Sequence, residues 1–145
     1  MNKNKERMLR NLQHTYCRIQ PSAIHGVGVF AMRDIAVGIS VFDGASTSSG
    51  ETLAREEIKT LPREVQQFLY DFLVSDEDGN VEVPPNGVVG LDMSFYLNHS
   101  DTPNLETHDH GETFVAKRAI KNGEELTVDY TTFDPHSAKF LPKGQ

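Results

Sequence analysis

The chain has a single cysteine, Cys17, among 145 residues. That excludes an intramolecular disulfide and any cysteine zinc cluster built from this chain alone, and it suits a reducing compartment. Long apolar runs are also missing, and the amino terminus lacks the apolar centre of a secretory signal, so a membrane span is not expected and the expected location is the cytoplasm. Positive charge is scarce. Fourteen Lys and Arg against 21 Asp and Glu leave a net charge of -7, with a pI near 5.3. A general nucleic-acid binder needs basic surface to displace phosphate counterions, so that class is disfavoured, and a basic protein or peptide is the better partner. No internal repeat or extended low-complexity tract is present.

Hydrophobic residues make up 37% and charged residues 24%, as in a globular protein with a modest core. The length is that of one domain. Residues 1–14 form a basic flank in which Lys3, Lys5, Arg7 and Arg10 surround Met8, Leu9 and Leu12. The spacing permits a short amphipathic helix, but no cap secures it, and a frayed terminus is expected. Alternation predicts short strands over Tyr16 to Gln20, stopped by Pro21, over Val27 to Met32, and over Ile39 to Phe42. Residues 45–49 are small and polar, hence a loop. Leu53, Ile58 and Leu61, then Val65, Phe68, Leu69, Phe72 and Leu73, recur at helical spacing, with Pro62 early in the second helix and Thr60 as its cap. Val81 to Val83 reads as a strand that Pro84-Pro85 ends. Leu105 to His108 and Thr113 to Lys117 read as a hairpin. Domain boundaries are expected at 15–133, with 134–145 as a carboxyl-terminal arm. Many short strands around a helical insert, without alternation of strand and long helix, predict a mainly β, α+β fold.

The polar residues concentrate at two places. One follows an apolar run: Phe95-Tyr96-Leu97-Asn98-His99-Ser100, then Pro103-Asn104, with turn chemistry that predicts an outward-facing polar tip. The other starts at the Asn122-Gly123 turn and continues as Glu124-Glu125-Leu126-Thr127-Val128-Asp129-Tyr130, a strand by the alternation of Leu126, Val128 and Tyr130. Two such ends converging would make a site.

Asn98-His99-Ser100 with Pro103-Asn104, and Gly123-Glu124-Glu125-Leu126-Thr127 with Asp129-Tyr130, resemble the signature pair of the SET-domain protein lysine methyltransferases. His25-Gly26-Val27-Gly28-Val29-Phe30 resembles the family's amino-terminal glycine motif. The resemblance covers roughly Tyr16 to Tyr130. It implies several small curled sheets with a knot-like threaded carboxyl-terminal segment, and methyl transfer from S-adenosylmethionine to a lysine side chain of a protein. By resemblance, Gly26, Val27 and Gly28 run against the cofactor, Asn98 and His99 hold its polar groups, and Tyr130 is the catalytic hydroxyl. Phe95-Tyr96 stands where many members have an arginine-aromatic pair, which implies a weaker grip on the cofactor's carboxylate. Tyr70, Thr107 and Val128 match lysine-channel positions, and the degree of methylation is left open. Phe140 resembles an aromatic that precedes a cysteine-rich zinc module in many relatives. No such cysteines follow here, so no metal is expected, and Phe140 is expected to fold back over the adenine side.

Plainer readings stand beside these. Gly26-x-Gly28-x-x-Ala31 also fits a dinucleotide fingerprint, though no helix follows it. Tyr130 and Tyr70 would serve as core residues, and Asn98 and Asn104 as turn formers. His108-Asp109-His110 with Glu106 and Glu112 suggests a metal site, or a hairpin tip rich in polar groups. Glu124-Glu125 reads as a solvated turn. The alternative to an enzyme is a catalytically weak SET-like module that binds a partner protein.

Overall fold

A computed structural model of the chain describes residues 2–42, 50–85, 87–111 and 113–133. Strands β1 (Cys17–Pro21) and β2 (Val27–Ala31) form an antiparallel hairpin with Cys17 opposite Ala31. Pro21 sits inside β1 as its last residue, which is tolerated because β1 is the edge of its sheet. Strand β3 (Glu51–Leu53) pairs with β4 (Val81–Val83), bracketing helices α2 (Arg55–Ile58) and α3 (Arg63–Phe72). Strand β5 (Asn98–His99) follows, then the β6 (Leu105–His108) and β7 (Thr113–Ala116) hairpin, then β8 (Glu125–Val128). The sheet order β1-β2-β8-β5 places β8 antiparallel to β2 and parallel to β5. The last strand thus lies between two segments far from it in sequence.

Two apolar clusters hold this frame. The larger joins Val29, Leu97, Leu105, Leu126 and Val128 beneath the main sheet. The smaller gathers Ile58, Leu69, Leu73 and Val81 under the helical insert. A short 3₁₀ turn at Met93–Tyr96 straddles both, since Phe95 packs on the smaller cluster while Met93 and Tyr96 pack on the larger.

Several expectations change. The amino-terminal flank is a helix, α1 (Lys3–Gln13), because the Asn2 side chain caps it by accepting the Lys5 N–H at 2.8 Å. None of its side chains is buried. Ile39 to Phe42 is not a strand: only Ser40 forms a bridge, to Val115. Pro62 itself is the cap residue of α3, and the Thr60 hydroxyl instead donates to Glu57 O at 2.6 Å, closing α2. Tyr130 does not continue β8 but begins a 3₁₀ turn, since Asp129 Oδ1 accepts both the backbone N–H and the hydroxyl of Thr131. The Ala45–Ser49 loop and the arm beyond Phe133 lie outside the described residues.

Candidate functional site

The site is built on the β5–β8 pair, where Asn98 faces Thr127 and His99 faces Val128. Asn98 and His99 are buried, so the expected outward polar tip is corrected: the polar side chains point into the structure and are satisfied there. Asn98 Nδ2 stands 2.8 Å from Glu125 Oε2 and 3.1 Å from each of Ser22 Oγ, His25 O and Val27 O. It therefore ties the strand to the glycine loop between β1 and β2. His99 Nδ1 accepts the Tyr130 N–H, which places the ring hydrogen on Nε2, 2.9 Å from Asp101 Oδ1.

Asn104 is no simple turn former. Its buried amide donates to Glu125 O at 2.8 Å and accepts from Thr127 N at 2.9 Å, so one side chain satisfies two backbone groups of β8. The Pro103-Asn104 pair was visible in sequence, but its target was not.

Tyr130 is half-buried, and its hydroxyl donates to Leu97 O at 2.5 Å. Burial, with the Glu125 carboxylate adding to it, pushes the phenol up to about 12. Its ring meets His99 edge-on at 5.3 Å and Phe133 at 6.1 Å. Val128 is fully buried beside this group, in register with His99.

The two glycines of the loop differ. Gly26 has φ +48°, and a Cβ there would meet nothing within 4 Å, so the backbone presents an open face. A Cβ on Gly28 would lie 2.3 Å from Glu125 Oε2 and 3.1 Å from Asn98 Nδ2. The absence of a side chain at Gly28 is thus required by the chain's own polar contacts. The solvated-turn reading of Glu125 is corrected by the same geometry: it is a half-buried β8 residue that takes the Ser22 hydroxyl at 2.7 Å. Only Glu124 keeps that description, paired with Arg118 at the surface.

Other sequence-derived positions lie apart. Tyr70 packs with the smaller cluster and donates to Gly79 O at 2.8 Å. Tyr96, by contrast, packs on the larger cluster, as Tyr130 does, and also meets Phe72 of α3 at 6.2 Å. The Thr107 hydroxyl is engaged within the β6–β7 hairpin, donating to Thr113 O at 3.1 Å. Nothing described joins Tyr70 or Thr107 directly to Tyr130. Phe140 lies outside the described residues. Among the described residues no three His, Cys, Asp or Glu side chains stand together as a metal cluster.

The comparisons agree with this architecture. A solved Plasmodium falciparum structure, described as that of a candidate histone methyltransferase, superposes with a TM-score of 0.52 at 22% identity, covering 80% of this chain and 93% of that one. That likeness is one of fold. A Mycosarcoma maydis protein named histone-lysine N-methyltransferase, H3 lysine-4 specific, is 33% identical over 115 residues, 75% of this chain. The match spans 8% of that much longer protein. The family profile described as SET domain matches residues 26–131, from the glycine loop through β8 to the turn at Tyr130. With its glycine loop, its buried Asn98-His99 and its Tyr130 gathered around one pair of strands, the chain belongs to the SET-domain family.

Proposed function

We propose that this protein is an S-adenosylmethionine-dependent protein-lysine methyltransferase. The observation that carries the proposal is the position of Tyr130, whose hydroxyl meets Leu97 O next to the Asn98-His99 strand that also grips the glycine loop. The open face at Gly26 suits a ligand lying against the loop backbone, with Gly26, Val27, Gly28, Phe95, Tyr96, Asn98 and His99 as the cofactor-binding set. S-adenosylmethionine, when bound, supplies a sulfonium-activated methyl group.

The chain's own residues then align and exclude. A phenol at about 12 keeps its proton at neutral pH, so Tyr130 acts as a hydrogen-bonding group and not as a base. Its proton is committed to Leu97 O, which leaves oxygen lone pairs free to accept from an incoming amine. A substrate lysine, with a free pKa of about 10.4, gives up its proton more readily where burial disfavours the charged form. Val128, with Tyr70 and Thr107, is the proposed wall of the lysine channel, and Phe140 the proposed cover for the adenine. The net charge of -7 favours a basic substrate segment. We further propose residues 15–133 as the catalytic domain, flanked by 1–14 and 134–145, acting in the cytoplasm.

Two measurements test the proposal. Calorimetry with S-adenosylmethionine should give stoichiometric binding, and incubation with host-cell extract should add methyl groups to lysines detectable by mass spectrometry. A protein that binds neither the cofactor nor its demethylated product would be a binding module instead.

A further inference from the structure

We infer that Glu125 is a positioning residue that sets the shape of the glycine loop, and through it the cofactor seat, by clamping Ser22 and Asn98 together. The inference rests on the methyltransferase reading above for the loop's role, while the clamp itself rests on geometry. One carboxylate oxygen takes the Ser22 hydroxyl at 2.7 Å and the other takes the Asn98 amide at 2.8 Å. Ser22 Oγ in turn accepts the backbone N–H groups of Ile24 at 2.9 Å and His25 at 3.4 Å, folding the start of the loop. Asn98 Nδ2 faces His25 O and Val27 O, holding its end. A single side chain of β8 therefore controls both halves of residues 22–28.

The chemistry asks for a carboxylate. Asn98 has two amide hydrogens but four acceptors within 3.1 Å, so their distribution is a competition. The bond to Glu125 is the shortest of the four, as a charge-assisted bond should be, and it claims one hydrogen. The other remains for the loop carbonyls. Among the described ion pairs none involves Glu125, and its described side-chain partners, Ser22 and Asn98, are neutral donors. A glutamine would turn an N–H either towards the Asn98 amide, itself a donor, or towards Ser22 Oγ, which already accepts from Ile24 and His25. Gly28 completes the clamp by leaving the space that Oε2 occupies.

The test compares Glu125→Gln, Ser22→Ala and Ser22→Thr, with Glu124→Gln as a neighbouring charge control. The probe is S-adenosylhomocysteine, titrated calorimetrically, with amide exchange of Ile24 and His25 followed in the ligand-free protein. Glu125→Gln and Ser22→Ala should each weaken binding about tenfold or more, speed exchange at both amides, and raise the cofactor KM more than they lower kcat. Ser22→Thr, which keeps the hydroxyl, and Glu124→Gln should bind within about twofold of the parent. The double variant Ser22→Ala/Glu125→Gln should be no weaker than the worse single, because both break one unit. Should Glu125→Gln fail to fold, Ser22→Ala at the accessible end of the clamp decides. Variants that bind and exchange like a parent that itself binds the probe overturn this inference alone. A parent that binds neither the probe nor S-adenosylmethionine overturns the functional reading and this inference with it.

Discussion

His99 accepts the backbone N–H of Tyr130 through Nδ1 at 3.1 Å, across 31 residues of sequence. Because its Nε2–H is held by Asp101, both ring nitrogens are committed to protein partners. The histidine is therefore a bracket that sets where the 3₁₀ turn begins and hence where the Tyr130 hydroxyl points. His99→Ala should leave that half-buried N–H unpaired and cost about 1–3 kcal/mol. Denaturant unfolding measures the loss, and single-turnover methylation should fall with it as the tyrosine drifts. A variant with full stability and rate would show the bracket to be idle.

Tyr130→Phe removes the hydroxyl and keeps the aromatic packing on His99 and Phe133. Its partner Leu97 O loses one bond, so a stability loss of about 1 kcal/mol is expected whatever the hydroxyl does in catalysis. The discriminating quantity is the single-turnover rate at saturating cofactor, expected to drop ~10²–10³-fold. Full activity in that variant would remove Tyr130 from the mechanism.

Alanine at the two loop glycines should separate packing from backbone conformation. Gly28→Ala forces a Cβ to within 2.3 Å of Glu125 Oε2, an atom already pinned by Asn98, and should cost about 1–3 kcal/mol. Gly26→Ala meets no atom, but its φ of +48° makes a side chain unfavourable by about 1–2 kcal/mol. Its larger effect should be on S-adenosylhomocysteine affinity, because the methyl group would stand on the open face. Equal affinity for parent and Gly26→Ala would move the ligand away from that face.

Alkaline stability follows from two acids, the buried Cys17 and the half-buried Tyr130. Burial pushes the Cys17 thiol up to about 11, and Tyr130 rises to about 12. In the unfolded chain these groups titrate near about 8.5 and about 10. The folded protein holds both protons more tightly, so their contribution is complete below about pH 8.5 and is lost as pH rises through the folded values. Each is worth on the order of 3 kcal/mol when fully lost. The melting temperature should fall progressively from about pH 9 upward, and Cys17→Ala should flatten the first part of that fall. A melting temperature independent of pH up to about 11 would contradict the burial argument.

Helix α1 contributes no buried side chain, and an isolated 11-residue helix is marginal in water. Removing residues 1–12 should therefore shift the melting temperature by no more than about 2 °C, a few tenths of a kcal/mol on the usual size scaling. A drop several times larger would mean that α1 docks against the domain in solution.

Much of this protein was determined by its sequence alone. Alternation located β2, β4 and the β6–β7 hairpin, and helical spacing located α3, because each is a local pattern of side chains facing one core. The motifs at Gly26-Val27-Gly28, Asn98-His99 and Asp129-Tyr130 named the family before any contact was known. What the sequence left undecided depends on partners distant along the chain. Thr127 breaks the expected alternation, being buried along with Leu126 and Val128, so both faces of β8 are covered there, while β2, β5 and Asn104 take up its backbone. Glu125 looked like one of two turn carboxylates. Only the fold brings Ser22, 103 residues earlier, to one of its oxygens and Asn98 to the other, and makes the same acid the floor beneath Gly28. Hydrogen bonds and excluded volume act across space, so an acid's role is set by which donors the chain returns to it, and that return is decided only when β8 settles between β2 and β5.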